Sequence, residues 1–420
     1  MIEIQPIGPL KTAVRVPGSK SYTQRALVAA ALASGSSRLR NALFSEDTAQ
    51  LMTALKALGA DIRVEGHDLI VTGTGGRIAN PAKELFVGNN GTALRFLTAL
   101  ASLGTGSYTV TGKPRLRERP LQPLLTALGS LGVVLYTKDG RGYPPVRIEA
   151  SGLRGGQVTL SDAESSQYVS ALLLSAPYAQ GDVSVRLEGH TVSQPYIGMT
   201  LEVMRAFGAI VASEGGRHYH VPGGQCYQRR EYVVDGDASS ASYFFLAAAL
   251  CGGTLTVMNM NPQSCQGDLK LLDLFEVMGC TVRRGDAWVE VTGNALPEGE
   301  LYFDMGDMPD MAPTLAVLAA FRPGRTMIGN CAHLRIKESD RIASLVTELN
   351  RIGVGARETP DGLIIDGGRP RGAQIETYDD HRIAMSFAVA GLAAPGMRIA
   401  NERCVNKSFP GFWDVLGTLR

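Results

Sequence analysis

One structural unit recurs along this sequence at nearly regular intervals. In each copy an amphipathic helical pattern closes on a glycine and runs directly into a strand pattern, as in residues 51–64 (LMTALKALGADIRV). The closing glycines are 73, 76, 71 and 74 residues apart, at Gly59, Gly132, Gly208, Gly279 and Gly353. Glycine is the residue that a helix end needs where the backbone turns left-handed, so each of them predicts the end of one helix.

A second pattern shares this period. Small polar residues lead into a run rich in alanine and leucine, which predicts the start of a buried helix. These starts step by 70, 75, 73, 72 and 70 residues and are anchored at Lys20, Asn90, Ser165, Ala238, Asp310 and Asp380. Strand patterns separate the helical ones throughout. We therefore predict an α/β fold built by repetition of six units.

The repeat also predicts the domain organisation. A chain of 420 residues exceeds what one hydrophobic core usually serves, so we expect two similar domains of three units each. The last unit breaks off at residues 411–420 with a helical pattern and no strand, and residues 1–15 are the available candidate for that strand. The predicted domains are therefore 1–15 plus 236–420 (domain I) and 16–235 (domain II).

Composition limits the classes of partner. Lys and Arg number 41 and Asp and Glu 40, so no overall field attracts nucleic acid or an acidic membrane. The six cysteines form no Cys-x-x-Cys motif, which disfavours a zinc or redox site and is typical of reduced thiols in a cytoplasmic protein. The start of the chain lacks the layout of a signal peptide, and no apolar run approaches the ~20 residues of a membrane span. We expect a soluble, unexported monomer.

Cations are concentrated at the predicted helix starts. Helix N-termini offer N–H groups and a partial positive charge, so starts that face one crevice between the two halves would bind a ligand with several anionic groups. Plainer interpretations exist: Asp310 as a helix cap, and Glu338 with Arg341 as an exposed pair. No Walker or dinucleotide glycine motif is present, which argues against a nucleotide. The polar inventory is Lys20, Ser21, Arg25, Asn89, Arg95, Arg119, Ser165, Ser166, Gln167, Asp310, Lys337, Glu338, Arg341, His381, Arg382 and Lys407.

Nine motifs across the whole chain carry a family resemblance: PGSKSYTQRA, GNNGTALR, RLRERP, SSQY, SQPYIG, GDASSASYF, RIKESDR, DDHRIAM and NKSFPGFW. Together they resemble the 5-enolpyruvylshikimate-3-phosphate synthase family. The resemblance implies two domains of three βαβαββ units, each an inside-out α/β barrel, with the active site in the crevice between them. It also implies transfer of the enolpyruvyl group of phosphoenolpyruvate to the 5-hydroxyl of shikimate 3-phosphate, with release of phosphate, in chorismate and aromatic amino-acid biosynthesis. No metal or other cofactor is implied, and the family is the target of glyphosate.

The resemblance also implies roles for individual residues. Domain II would bind mainly shikimate 3-phosphate and domain I phosphoenolpyruvate. The implied catalytic residues are Asp310, Lys20, Glu338 and His381, with Asp310 accepting the proton of the 5-hydroxyl. The implied contacts to shikimate 3-phosphate are Lys20, Ser21, Arg25, Ser165, Ser166, Gln167, Ser193, Tyr196, Asp310, His333 and Lys337. The implied contacts to phosphoenolpyruvate are Lys20, Asn89, Gly91, Arg119, Gln167, Arg341, Arg382 and Lys407.

Three residues depart from the usual pattern of the family. Asn90 stands where a small residue is usual, Phe96 where proline is common, and His333 where some members have asparagine. Asn90 is expected to crowd the glyphosate site if its side chain faces that site.

Two alternative functions remain open at this stage. One is enolpyruvyl transfer to UDP-N-acetylglucosamine, which the pair Lys20-Ser21 and the absence of cysteine before Cys226 disfavour. The other is a catalytically silent anion-binding module on the same scaffold.

Overall fold

The structure is a computed structural model that describes residues 1–162, 165–189 and 192–419. The chain forms two compact units. Unit 1 combines Met1–Pro17 with Asp235–Arg420, and unit 2 is the continuous segment Gly18–Val234. Which substrate each unit binds stays a prediction. In the described part of the chain, no helix is long and apolar enough to cross a membrane.

The elements alternate between strands and helices along both units. The strands are β1 (Ile2–Glu3), β2 (Leu10–Val14), β3 (Ser34–Arg40), β4 (Asp61–Glu65), β5 (Asp68–Thr74), β6 (Leu85–Phe86), β7 (Thr105–Thr111), β8 (Val134–Thr137), β9 (Val146–Ser151), β10 (Gly156–Ser161), β11 (Val183–Glu188), β12 (Ala212–Glu214), β13 (His218–Val221), β14 (Glu231–Val233), β15 (Gly253–Val257), β16 (Thr281–Arg284), β17 (Val289–Gly293), β18 (Glu300–Asp304), β19 (Gly324–Gly329), β20 (Gly355–Thr359), β21 (Gly362–Gly367), β22 (Gln374–Ile375) and β23 (Arg398–Ile399).

The helices are α1 (Lys20–Leu32), α2 (Glu46–Ala57), α3 (Gly91–Ala101), α4 (Gln122–Ser130), α5 (Ser166–Ser175), α6 (Pro195–Ala206), α7 (Ala238–Cys251), α8 (Leu271–Val277), α9 (Ala312–Ala320), α10 (Arg341–Arg351), α11 (His381–Ala393) and α12 (Phe412–Gly417). Short 3₁₀ segments lie at Pro114–Glu118, Ala176–Tyr178, Gly267–Lys270, Pro309–Met311, Ala332–Ile336 and Glu402–Lys407.

Unit 2 contains three four-stranded sheets of one topology: β14-β3-β5-β4, β6-β7-β9-β8 and β10-β11-β13-β12. In each sheet the first pair is parallel and the other pairs are antiparallel. A parallel pair needs a crossover, and a buried helix provides it between β6 and β7 and between β10 and β11. The predicted α/β repeat is therefore confirmed. In the first sheet the fourth strand, β14, comes from the C-terminal end of the unit and pairs with β3.

Unit 1 repeats this plan. Two of its sheets have the orders β16-β17-β15-β2 and β18-β19-β21-β20, and the third has the order β1-β23-β22. Strand β1 pairs antiparallel with β23, so the N-terminal segment does complete the last repeat, as the sequence predicted. The rest of the N-terminal segment belongs to a different sheet, in which β2 pairs in parallel with β15.

The two helices of each repeat differ because they bury different fractions of their surface. Helices α1, α3 and α5 pack on one another at the centre of unit 2, as α7, α9 and α11 do in unit 1, and they are buried on nearly all sides. Each unit thus encloses a hydrophobic core of its own. The amphipathic helices end as predicted, since all five closing glycines have positive φ, from 84° at Gly208 to 109° at Gly59.

Candidate active site

A cluster of charged side chains lies at the helix starts of unit 1. At its centre is Asp310, on the 3₁₀ turn that precedes α9. Nη1 of Arg341 donates to Asp310 Oδ1 at 2.8 Å, and Nη2 of Arg382 donates to Asp310 Oδ2 at 2.8 Å. Because Arg341 begins α10 and Arg382 lies in the first turn of α11, this carboxylate links the starts of three helices. We call these residues and their charged neighbours the Asp310 cluster.

Arg341 is held by two further carboxylates. Its Nε donates to Asp380 Oδ2 at 2.8 Å, and its Nη2 donates to Glu338 Oε2 at 2.9 Å. Asp380 is fully buried and also caps α11, accepting from the backbone N–H of Arg382 at 3.0 Å. Burial alone lowers the pKa of Arg341, but Asp380, Glu338 and Asp310 outweigh it and raise that pKa above its ordinary value. Arg341 is therefore a fixed positive charge.

The charge state of Asp310 follows from the same neighbours. Burial raises its pKa, but the charges of Arg382, Lys337 and Arg341 together hold the pKa of Asp310 well below the ordinary value of 3.8. The carboxylate is therefore ionised at neutral pH. A group this acidic is a weak base until another anion offsets the surrounding cations.

The other residues that the sequence placed at this site lie around the cluster. Nζ of Lys337 is 4.0 Å from Asp310 Oδ1, and Nζ of Lys407 is 3.8 Å from Glu338 Oε1. His381 is buried, with Nδ1 3.8 Å from Asp380 Oδ1. His333 lies on the 3₁₀ segment Ala332–Ile336 and is partly exposed.

Arg382 has a second set of partners besides Asp310. Its Nη2 donates to the hydroxyl of Ser239 at 3.3 Å, and its Nη1 lies 3.5 Å from the hydroxyl of Tyr243. Ser239 in turn donates to Asp268 Oδ2. Burial is the main reason that the pKa of Tyr243 is raised to about 12, so this hydroxyl stays protonated beside the guanidinium.

In unit 2 the most deeply buried cation is Arg25. Its Nε donates to Thr200 Oγ1 at 2.8 Å, and its Nη2 donates to Ser170 Oγ at 3.3 Å and to the carbonyl of Tyr196 at 3.1 Å. Its carbon Cζ lies 5.4 Å from the centre of the Phe96 ring. No carboxylate in the described residues forms an ion pair with Arg25. Burial lowers its pKa to about 10, so it remains charged at neutral pH.

Lys20 and Asn90 are connected through the start of α2. Lys20 Nζ lies 3.1 Å from Asp47 Oδ2. The side-chain amide of Asn90 donates to the carbonyl of Asp47 at 2.8 Å and to Gln24 Oε1 at 2.9 Å, while its oxygen accepts from the backbone N–H of Ala93 at 2.9 Å. Asn90 thus caps α3 and fixes it to α1 and α2. The expectation that Asn90 crowds a ligand site loses its basis, because its polar atoms are engaged within the helix packing.

Gly91 lies against two guanidinium groups. A β-carbon on Gly91 would fall 2.5 Å from Arg119 Nη1 and 2.6 Å from Arg95 Nη1, so only glycine fits there without displacing an arginine. Arg95 Nη2 donates to the carbonyl of Pro120 at 3.2 Å, and the Tyr168 hydroxyl donates to the same carbonyl at 2.8 Å. These two bonds fix the backbone that follows Arg119.

The start of α5 carries the predicted serines and glutamine. Ser165 caps the helix by accepting from the backbone N–H of Gln167 at 3.3 Å, and Ser166 is buried. Gln167 Nε2 donates to Thr92 Oγ1 at 3.1 Å. Its Oε1 is buried and has no hydrogen-bond partner in the described residues, so an acceptor remains for a bound donor. Ser193 adopts a left-handed backbone with φ 58°.

The structure therefore links many of the predicted residues within each unit. The Asp310 cluster joins Asp310, Lys337, Glu338, Arg341, Arg382 and Lys407. Ser21 and Tyr196 meet Arg25 through their backbone carbonyls. Asn89 precedes the cap of α3 and is half-buried. Within the described ranges, no group of three or more His, Cys, Asp or Glu side chains forms a candidate metal site.

Sequence reasoning missed the residues that support the cations. Asp47, Ser239 and Asp268 were not among the predicted site residues, and Asp380 was predicted only as the anchor of a helix start. Ser239 follows the repeat anchor Ala238, but the period did not indicate its partner, because Asp268 lies 29 residues from the serine that it contacts. For Asp380 the cap motif was a usable signal, since a buried cap beside an arginine-rich helix start also serves as a counter-charge.

Comparison with known proteins extends the match to the whole chain. A family model for EPSP synthase (3-phosphoshikimate 1-carboxyvinyltransferase) matches residues 4–416. A 3-phosphoshikimate 1-carboxyvinyltransferase of Nostoc punctiforme is 44% identical over 407 residues, covering 96% of this chain and 95% of the relative. One of Syntrophobacter fumaroxidans is 42% identical over 422 residues and covers 99% of each chain. The EPSP synthase structure from Acinetobacter baumannii has a TM-score of 0.82 and 29% identity, covering 99% of this chain and 97% of that one. The chain therefore belongs to the EPSP synthase family.

Proposed function

We propose that this protein transfers the enolpyruvyl group of phosphoenolpyruvate to the 5-hydroxyl of shikimate 3-phosphate and releases phosphate, as a step of aromatic amino-acid biosynthesis. The full-length family match supports this activity. The observation that carries the mechanism is the ionised Asp310 carboxylate clamped between Arg341 and Arg382 at three helix starts. Such a place suits a reaction in which one group takes a proton while cations hold an anionic partner.

Shikimate 3-phosphate carries a carboxylate and a phosphate, and unit 2 offers a matching cation. Among the residues that the structure describes, Arg25 is buried with neutral hydrogen-bond partners, so a bound anion would supply a counter-charge. The vacant acceptor of Gln167 suits a substrate hydroxyl. We assign to this substrate Lys20, Ser21, Arg25, Ser165, Ser166, Gln167, Ser193, Tyr196, Asp310, His333 and Lys337.

Phosphoenolpyruvate is small and highly charged, which requires several cations. Arg341 and Arg382 present guanidinium groups whose orientation is fixed by carboxylates, so little side-chain freedom is lost on binding. The close fit of Gly91 against Arg119 leaves no room for a side chain at position 91. We assign to this substrate Lys20, Asn89, Gly91, Arg119, Gln167, Arg341, Arg382 and Lys407.

The chemistry needs one proton donor and one acceptor. Protonation at C3 of phosphoenolpyruvate makes C2 cation-like, and the 5-hydroxyl oxygen then attacks C2 while its proton passes to a base. The resulting adduct loses a proton from the new methyl group, and its C2–O bond to phosphate breaks, which gives the enol ether. We assign Asp310 as the base.

Binding itself makes Asp310 a better base. In the empty site the cations hold its pKa low. The negative charges of phosphoenolpyruvate oppose those cations, so the pKa of Asp310 rises once the substrate is bound. The base thus gains strength only when there is a substrate to react with.

Lys20 and Glu338 are our candidates for handling the proton at C3. Lys20 is paired with Asp47, and Glu338 is held by Arg341 and by the more distant Lys407. The ion pairs therefore give both side chains defined positions. His381 lies beside Asp380 and is assigned a supporting catalytic role at the start of α11.

The test is to mix the purified protein with both substrates and follow phosphate release. We expect one phosphate and one enol ether for each phosphoenolpyruvate consumed, with no metal added. UDP-N-acetylglucosamine serves as the control acceptor and should release no phosphate. Release with that acceptor alone, or no release with shikimate 3-phosphate, would refute the proposal.

We further propose that the protein acts as a monomer in the cytoplasm. Cys226, Cys251, Cys280, Cys331 and Cys404 are free thiols, which agrees with a reducing compartment. Sedimentation of the active protein at assay concentration tests the oligomeric state, and a dimer mass would contradict the monomer.

A further inference from the structure

Hydrogen bonds connect Arg382 to two carboxyl groups, and the Ser239 hydroxyl takes part in the connection to the second. Asp310 accepts a hydrogen bond from Arg382, and Asp268 accepts one from the Ser239 hydroxyl, which itself accepts from Arg382. Nothing in the mechanism above uses Asp268. We call Arg382, Ser239 and Asp268 the arginine relay.

The segment that carries Asp268 is fixed to the start of α7 at several points. Gln266 Oε1 accepts from the backbone N–H of Ala238 at 3.0 Å, and Gln266 Nε2 donates to the carbonyl of Gly236 at 2.8 Å. Two residues later, Asp268 accepts from Ser239. Because the segment and the helix start are bonded this way, Ser239 has a defined position between Asp268 and Arg382.

The relay has a defined hydrogen-bond direction. The guanidinium can only donate, so the Ser239 oxygen must accept from Arg382. The single proton of that hydroxyl is then available for Asp268, which accepts it best as an ionised carboxylate. The charge on Asp268 thus orients the hydroxyl, and the hydroxyl orients one edge of the guanidinium.

Ionising Asp268 is unfavourable in its surroundings. The residue is buried, and burial is the largest influence on its carboxyl group. Arg382 favours the ionised form, as does the Ser239 hydroxyl, while Asp310 and Asp237 oppose it, and the pKa of Asp268 is raised to about 6. A carboxylate kept in such a place at neutral pH, where an apolar residue would be more stable, points to a role in holding a cation.

We propose that Asp268 is a positioning residue that acts through Ser239 to orient Arg382 for phosphoenolpyruvate. This rests on the proposed function, in which Arg382 binds that substrate. The chemical role is indirect, since Asp268 contacts the serine and not the reacting atoms. The relay should therefore govern affinity for phosphoenolpyruvate and leave affinity for shikimate 3-phosphate unchanged.

The test compares four variants with the wild type. Asp268→Asn keeps the shape of the side chain without its charge, and Ser239→Ala breaks the relay. Ser239→Thr keeps the hydroxyl and should rescue. Asp307→Asn is the matched control, because this half-buried aspartate pairs at 2.6 Å with Lys270, which lies on the same 3₁₀ segment as Asp268.

At pH 8 we expect the KM for phosphoenolpyruvate to rise about tenfold in Asp268→Asn and in Ser239→Ala, which is the lower range for a lost charge-assisted bond. The KM for shikimate 3-phosphate should stay at the wild-type value. The ratio of the Asp268→Asn KM to the wild-type KM should approach one near pH 5, where the wild-type carboxyl is itself protonated. This ratio cancels the ionisation of the substrate phosphate, which both proteins share.

Three outcomes would overturn the proposal. The first is a wild-type KM for phosphoenolpyruvate in both Asp268→Asn and Ser239→Ala, and the second is an equal rise in the KM values for both substrates. The third is a ratio of the Asp268→Asn KM to the wild-type KM that does not change with pH, as a purely structural defect would give. The wild type in the same assay tests the proposed function separately, because an inactive wild type refutes that function whatever the variants do. A second measurement needs no turnover: the rise in melting temperature that phosphoenolpyruvate causes is compared between the wild type and the same variants.

Discussion

Replacing Asp310 with asparagine separates its role as a base from its contacts with the arginines. An amide still offers one oxygen to Arg341 or Arg382, but it takes up no proton at neutral pH. Arg341 also keeps its bonds to Asp380 and Glu338, so the cluster is expected to hold together in the variant. We predict a folded protein that binds both substrates and turns over slowly.

The magnitudes follow from this geometry. Loss of a general base lowers kcat by roughly 10²–10⁴-fold, which is about 2.7–5.5 kcal/mol of barrier. The KM for phosphoenolpyruvate should not rise, because the substitution removes a negative charge that competes for the same two guanidinium groups. At a separation of about 5 Å and an effective dielectric constant near 20, that repulsion is about 3 kcal/mol. Binding is therefore expected to stay equal or become tighter.

The assay measures kcat and KM for phosphate release, with calorimetric titration of phosphoenolpyruvate in the presence of shikimate 3-phosphate. Asp366→Asn is the matched control, because Asp366 also lies between two arginines, Arg325 at 2.7 Å and Arg357 at 3.5 Å, but its side chain is exposed, on strand β21. It should behave as the wild type. A proportional loss of affinity and turnover in Asp310→Asn would refute the reasoning and make Asp310 a binding residue, and wild-type turnover would exclude it as the base.

Three further predictions test other parts of the structure. Arg25→Ala should raise the KM for shikimate 3-phosphate by roughly 10–100-fold, and Arg25→Lys should not restore it because ammonium lacks the planar fork; unchanged kinetics would contradict the assignment. Asn90→Ala should lower the free energy of unfolding, measured by urea titration, by about 2–4 kcal/mol, because it removes a helix cap and the bonds to Gln24 and Asp47. In the same variant, the ratio of the glyphosate inhibition constant to the KM for phosphoenolpyruvate should not change. The pKa of Asp268 is raised from 3.8 to about 6, so the wild type should lose stability as pH rises through that interval. At pH 7.5 Asp268→Asn should therefore melt at a higher temperature than the wild type, by an amount equivalent to about 2–3 kcal/mol. Equal melting curves would argue against a buried charge at this position.

Much of the fold could be predicted because it depends on features that recur along the chain. Gly59 and Gly353 lie at equivalent helix ends almost 300 residues apart, and both have the positive φ that their positions required. The pairing of Ile2–Glu3 with the last sheet followed from counting strands in the incomplete sixth repeat. Periodicity did not indicate that Leu10–Val14 joins another sheet, because a strand pattern does not identify its neighbour.

The site was predictable only in its residue types. The sequence placed cations at helix starts, but the partner of each cation depends on contacts between distant segments, such as Arg25 with Thr200 or Arg382 with Ser239. The sequence also does not indicate which way a side chain points. The family resemblance placed Asn90 beside a ligand site, where it would crowd a ligand only if its side chain faced that site, whereas its hydrogen bonds are to its own helix start and two neighbouring helices. Packing in three dimensions decides these outcomes.

The pairing of β1 with β23 sets an order for folding during synthesis. Unit 2 is one continuous stretch, so all of its strands are available once Val234 has left the ribosome. Unit 1 must wait, because Ile2–Glu3 has no partner strand until Arg398–Ile399 has been made. During that interval the first residues and the growing second half remain incomplete, with open strand edges exposed to other chains. Premature termination near residue 397 would leave unit 2 able to fold and unit 1 without its last sheet. Such a product is a candidate for recognition by chaperones and proteases.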